Sequence, residues 1–252
     1  MAVNPDRGGN DSCCAVIELR QYTLYPGKRD VLIDLFDREF IESQEAVGMH
    51  IVGQFRDADN PDRFVWMRGF ADMPARGAAL TAFYDGPVWQ AHRDTANPTM
   101  IDASNVLLLR PLAAGSGFAA GMPARAPVGA VARPDARVVA TIYYLHAPLG
   151  ADFIRFFEQE VKPAMTAAGA APIAAFQSEP AGNNFPRLPV RVGEHVLIWF
   201  ARFDNATQFQ EHERRLAQSK QWQGQVLPAL LQQLKSPPER LMLEPTARSQ
   251  LR

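Results

Sequence analysis

The polar and apolar positions of this chain spell out one succession of elements twice. Alternation from Val16 to Leu24 predicts a strand, Pro26-Gly27 a turn, and apolar Leu32, Leu35, Phe36 and Phe40 at helical spacing a helix over residues 28–47. Gly48 stops the helix. Residues 49–56 then predict a second strand, Asp57 to Asp62 with Asn60-Pro61 a turn, and Arg63 to Phe70 a third strand. A helical stretch broken at Gly86-Pro87 follows, and residues 106–110 predict a last strand. The pattern repeats from Arg137 to Glu244, with a helix built on Phe153, Phe156, Phe157 and Val161 that Pro163 should kink near its end.

The repetition is also visible residue by residue. Leu32, Leu35, Phe36, Glu39, Gly48 and Phe55 recur as Phe153, Phe156, Phe157, Glu160, Gly169 and Phe176, each 121 positions on. Trp66, Phe70 and Trp89 recur as Trp199, Phe203 and Trp222 at an offset of 133, and Leu109 and Pro111 as Leu243 and Pro245 at 134. An offset that jumps once by twelve marks a duplication with an insertion, here in the Pro-rich loop Glu179 to Gly193. The expected organisation is a flexible leader (1–15), a first repeat (16–111), an Ala/Gly/Pro-rich linker (112–136), a second repeat (137–245) and a tail (246–252). Each repeat reads as a ferredoxin-like βαββαβ plait. The expected fold is therefore α+β: two tandem plaits packed sheet to sheet as an intrachain α/β barrel, which gives each bare sheet face a cover.

Composition narrows the function classes. The chain has 252 residues, 47% hydrophobic and 21% charged, with 26 basic against 27 acidic residues and a formal net charge of −1. No strong field favours nucleic acid, and no apolar stretch reaches the ~20 residues of a membrane span. The polar start, Met1 to Ser12, lacks a signal-peptide core, so a cytoplasmic location is expected. Cys13 and Cys14 read as two reduced thiols before the first strand. The five histidines show no metal-ligand spacing, and neither a metal nor a cofactor is expected. His146 has no motif context, and Glu211-His212-Glu213-Arg214-Arg215 reads as a solvated helical face.

A family resemblance adds to this. Glu18-Leu19-Arg20-Gln21-Tyr22-Thr23-Leu24 before Pro26-Gly27 resembles the opening of NIPSNAP proteins. Phe83-Tyr84, Gly86-Pro87-Val88-Trp89, His92-Arg93 and Asn97-Pro98 resemble that family's second helical region. The resemblance covers 16–111 well and 137–245 more loosely. It implies a plait of the dimeric α/β-barrel class, whose members include cofactor-free monooxygenases, lactone isomerases and haem-handling enzymes. It transfers no catalytic residue.

Strand alternation assigns candidate chemistry. Ile17, Leu19, Ile51, Phe55, Val65 and Met67 share a face expected to lie under the helices. The opposite face, expected to line the space between the sheets, carries Glu18, Arg20, Tyr22, His50, Gln54, Arg56, Trp66 and Arg68. The matching positions of the second repeat keep Tyr143 and Trp199 but lose the charges. One reading is a pocket for a small anionic or aromatic metabolite, with His50, Tyr22 and Glu18 for proton transfer. Arg20, Gln54, Arg56, Arg68, Trp66, Tyr143 and Trp199 would bind the ligand, and Trp89, His92, Arg93 and Asn97 would cap it. The other reading is a non-catalytic binding or scaffold module whose barrel is plugged. Closure within one chain suits a monomer, with a homodimer left open.

Overall fold

The computed structural model describes residues 12–252; most of the expected leader lies outside them. The strands are β1 (Val16–Leu24), β2 (His50–Asp57), β3 (Arg63–Phe70), β4 (Met100–Asp102), β5 (Val106–Pro111), β6 (Arg137–Leu145), β7 (Pro172–Ser178), β8 (His195–Phe203) and β9 (Glu239–Pro245). Eight of them close an antiparallel barrel in the order β3-β2-β9-β6-β8-β7-β5-β1, with β1 returning to β3 and the short β4 hung on β1. Closure removes the free sheet edges that an isolated plait would expose.

The two junctions between repeats are copies of each other. Phe55 faces Pro245 where β2 meets β9, and the repeat-equivalent Phe176 faces Pro111 where β7 meets β5. Further devices are duplicated. Gly48 and Gly169 both take the left-handed conformation, at φ of 93° and 95°, that ends the preceding helix. Asp72 and Asn205 cap equivalent helices, each side chain accepting from a backbone N–H three residues on. The first helix of each repeat (29–45 and 151–167) contains a π-helical turn, Phe36–Phe40 and Phe157–Val161. Pro163 therefore follows a widened turn that both copies have and does not cause it. Both second strands are bulged, between Ile51 and Gly53 and between Pro172 and Ala174.

The barrel interior is apolar, which reverses the faces expected from alternation. One buried cluster joins Ile17, Leu19, Phe55, Val65 and Met67 to their repeat equivalents Val138, Ala140, Phe176, Ile198 and Phe200. These residues pack sheet against sheet. The face bearing Glu18, Arg20, Tyr22, Trp66 and Arg68 instead lies beneath the helices of its own repeat, and Tyr143 and Trp199 lie beneath those of the second. The physical reason is the cost of burying unpaired charge in a dry barrel core. The bulge also breaks the alternation in β2: Val52 and Phe55, three positions apart, both face the barrel, while Ile51 faces the helices.

The segments outside the repeats are docked. Cys13 donates its backbone N–H to Phe118, whose ring fills the barrel core with Cys14. Arg125 reaches Glu45 and the carbonyls of Ile51 and Arg248. The tail runs along β2, Thr246 donating to the Gln54 carbonyl and Leu251 to that of Val52.

Gly69 on β3 marks a close approach that tests this packing. A Cβ there would lie 2.2 Å from the Cys14 sulfur and 3.0 Å from Ile17 Cδ1. Gly69→Ala is expected to cost about 1–3 kcal/mol by urea denaturation. Adding Cys14→Ala should recover part of that loss, and strictly additive losses would contradict the contact.

Candidate functional site

Each repeat has a site between its sheet and its helices, and the two are built oppositely. In the first repeat, β1 places Glu18 and Arg20 side by side, β3 adds Arg68 across the ladder, and the Met73–Tyr84 helix lowers Arg76 onto them. Arg20 Nη1 donates to Glu18 Oε2 at 2.7 Å, Arg68 Nε to the same oxygen at 2.8 Å, and Arg76 Nε to Oε1 at 2.7 Å. All four side chains are fully buried, so three guanidinium groups share one carboxylate and leave two positive charges in excess.

Aromatic rings and neutral oxygens carry the rest of the cluster. Arg20 Nε donates to the Tyr22 hydroxyl at 2.9 Å and Arg68 Nη1 to Gln44 Oε1 at 2.9 Å. The Arg20 and Arg68 guanidinium carbons stand 5.5 and 5.0 Å from the Trp66 ring. Among the described residues, Nη2 of Arg20, Nη2 of Arg68 and the Trp66 indole nitrogen have no hydrogen-bond partner. Burial alone would push the Glu18 carboxyl up, but Arg68, Arg20 and Arg76 together hold it well below the usual carboxylate range. Little space is left: the adjoining cavity, walled by Tyr22, Phe36, Phe40, Trp66, Tyr84 and Trp89, has a volume of about 40 Å³.

The equivalents of Glu18, Arg20, Arg68 and Arg76 are Val139, Thr141, Ala201 and Phe209, and all four line an open cavity of about 360 Å³ in the second repeat. The ion cluster of one repeat thus occupies the volume that is empty in the other. Tyr143, Trp199 and Trp222 keep the places of Tyr22, Trp66 and Trp89, while His212, Glu213 and Arg240 supply polar groups. His212 Nδ1 lies 3.2 Å from the Ala168 carbonyl, so in the neutral ring Nδ1 carries the proton and Nε2 is the acceptor. Burial pushes the His212 ring below its ordinary value, against smaller opposing effects of Ala168 and Glu213. Burial also pushes the Tyr143 hydroxyl up and keeps it a donor. Glu213 and Arg240 pair at 2.8 Å, both partly exposed.

The structure disperses several residues that alternation had put together. His50 pairs with Gly69, one step out of phase with Arg68, and its surroundings are Glu45 and Arg125, not the arginine cluster. Arg56 pairs with Asp30 near the surface. Gln54 is buried, and its backbone holds the C-terminal tail. Trp89 packs on Phe40, Phe83 and Tyr84. His92 lies 3.6 Å from Glu39, Arg93 the same distance from Asp94, and Asn97 is exposed at the start of a 3₁₀ turn. Tyr143 and Trp199 do not wall the space around Arg20. Two residues escaped the sequence reading. Arg76 has no strand pattern to flag it, and His212 sits in a charge run yet is the buried residue of its helix. An apolar-face count on that helix would have found His212 in line with Phe209 and Leu216.

Glu18→Gln is expected to cost about 3–5 kcal/mol, since it strands buried arginines. The fourfold change to the second repeat's residues (Glu18→Val, Arg20→Thr, Arg68→Ala, Arg76→Phe) should cost less than that single change in denaturant titrations. Because Glu18 titrates lower folded than unfolded, its contribution is full above about pH 4.3 and fades only in stronger acid.

Comparison with known proteins agrees with this architecture. The NIPSNAP family model matches residues 17–115. No curated protein matches the chain in sequence. A putative monooxygenase from Fusobacterium nucleatum has the same fold over 92% of each chain, at 7% identity and a TM-score of 0.53. One from Lactobacillus acidophilus matches over 91% of this chain and 93% of its own, at 13% identity and a TM-score of 0.51. An anthrone oxidase-like protein matches over 92% and 91%, at 11% identity and a TM-score of 0.51. These likenesses extend the shared fold across both repeats, and the sequence match identifies the first of them: residues 17–115 carry a NIPSNAP domain.

Proposed function

We propose that the protein binds a small aromatic, enolisable molecule in the sheet–helix cavity of its second repeat and moves a proton on it with its own side chains. The observation that carries this reading is the roughly 360 Å³ cavity at the position the first repeat fills with ions. That volume lies within the range of small-molecule sites of about 300–1,000 Å³. The lining is apolar and aromatic, from Tyr143, Trp199, Phe203 and Trp222, which suits a flat ring. The Tyr143 hydroxyl and the Trp199 indole N–H beside it are donors for a carbonyl or enolate oxygen. His212 Nε2 is the base. Fold neighbours described as a putative monooxygenase and as anthrone oxidase-like fit a small-molecule pocket under the helices.

A second reading, binding without conversion, is favoured by the filled barrel interior and the filled first-repeat site. Both readings place the ligand in the second repeat, and one probe separates them. 1-Indanone is aromatic and enolisable. Calorimetry should show binding that Ala201→Phe weakens at least about tenfold by occupying the cavity, while Arg93→Ala leaves it unchanged. Equal binding by the Ala201→Phe protein would overturn the site.

In deuterated buffer, NMR should show exchange at the carbon next to the carbonyl, lost in His212→Asn while binding persists. Binding with no protein-dependent exchange would select the non-catalytic reading. Because burial lowers the His212 value below its ordinary ~6.5, exchange should rise from acid pH and level off before pH 7.

A further inference from the structure

The inserted loop of the second repeat crosses to the first and lies over its arginine cluster. Arg76 Nη1 donates to Asn183 Oδ1 at 3.0 Å and to Asn184 Oδ1 at 2.7 Å. Phe185 is buried and stacks on Tyr84 with ring centroids 5.8 Å apart and planes 28° apart. Gly77 makes the approach feasible, because a Cβ there would meet the Asn184 amide at 2.9 Å. The loop is also fastened by Asn184 Nδ2, which donates to the Met73 carbonyl, by Leu188, which packs partly buried on the same core, and by Arg187, which pairs with Asp85 where both are more than half exposed.

The loop covers a place whose chemistry it does not match. Beneath it lie two buried positive charges with no counter-ion among the described residues, and it offers them only neutral amide oxygens. Next to those oxygens it inserts one aromatic ring into a wall of aromatic rings, Phe83, Tyr84 and Trp89. An acceptor pair on a guanidinium beside a stacked ring has the shape of an aromatic carboxylate.

We propose that the first repeat holds a second binding site, for a small aromatic carboxylate, and that Asn183-Asn184-Phe185 is a lid that occupies it in the ligand's absence. The ligand carboxylate takes the asparagine oxygens' place on Arg76 and adds the negative charge the cluster lacks. Its ring takes the place of Phe185 on Tyr84. The lid comes from the second repeat, so occupancy of this site loosens residues 183–188 and the loop's contacts with β5, where Arg191 donates to the Val106 carbonyl. The site is independent of the second-repeat cavity and stands or falls separately.

Benzoate is the probe, titrated by calorimetry against chloride at matched ionic strength. Phe185→Ala removes the competing ring and is expected to tighten benzoate binding roughly tenfold, because the open form becomes the major one. Asn184→Asp supplies the anion from within, at the loss of the Nδ2 hydrogen bond to the Met73 carbonyl; it should weaken benzoate at least about tenfold. Benzoate binding that is indifferent to both substitutions, as binding in the second-repeat cavity would be, overturns the proposal.

Discussion

Every later feature of this structure depends on the sheet edges. A four-stranded plait ends in two strands whose backbone donors and acceptors face outward, and one of its faces has no helices over it. The chain satisfies both needs with its own second copy. Pairing Phe55 with Pro245 and Phe176 with Pro111 uses up the edges, and the uncovered faces then close on each other around Phe55, Phe176, Ile198 and Phe200. A barrel this narrow has room for side chains alone. Closure therefore leaves the ion cluster and the open cavity outside the barrel, between strand and helix.

Within that restriction the two repeats differ by an exchange of charge for space. Four substitutions between equivalent positions, Glu18 to Val139, Arg20 to Thr141, Arg68 to Ala201 and Arg76 to Phe209, turn a filled ionic site into an open apolar one. The backbone devices that shape both sites are kept: the π-helical turns, the bulges and the left-handed glycines. Retention of these devices fits a duplication in which the scaffold is fixed by pairing and capping while the lining is free to change. The twelve-residue insertion then couples the halves, since a loop grown on the second repeat seals the first.

Much of the fold was legible in the sequence because its signals are local. Strand alternation gave β1 and β3 their limits, helical spacing gave a helix over 28–47 that spans 29–45, and the constant offset suggested the closure. The assignment of faces was not legible by the same means. Alternation sorts side chains into two sets without saying which set is inside, and an all-apolar barrel core looks from sequence like a helix-covered face. Val52 adds to the ambiguity, because a bulge changes the phase of β2 while leaving no trace in hydrophobicity. Of the candidate site, Glu18, Arg20, Arg68, Tyr22 and Trp66 do cluster, since they share a ladder. His50 falls away through the bulge, Arg76 joins from a helix, and His212 is found only when that helix is packed.

The central claim is that the functional space lies under the helices of the second repeat, and the four tryptophan indoles report on it directly. Trp199 and Trp222 line the second-repeat cavity, while Trp66 and Trp89 wall the small one in the first. With ¹⁵N-labelled protein and 1-indanone, a heteronuclear correlation spectrum should show the indole resonances of Trp199 and Trp222 moving in proportion to occupancy while those of Trp66 and Trp89 stay in place. Movement of Trp66 and Trp89 with Trp199 and Trp222 unchanged would contradict the account.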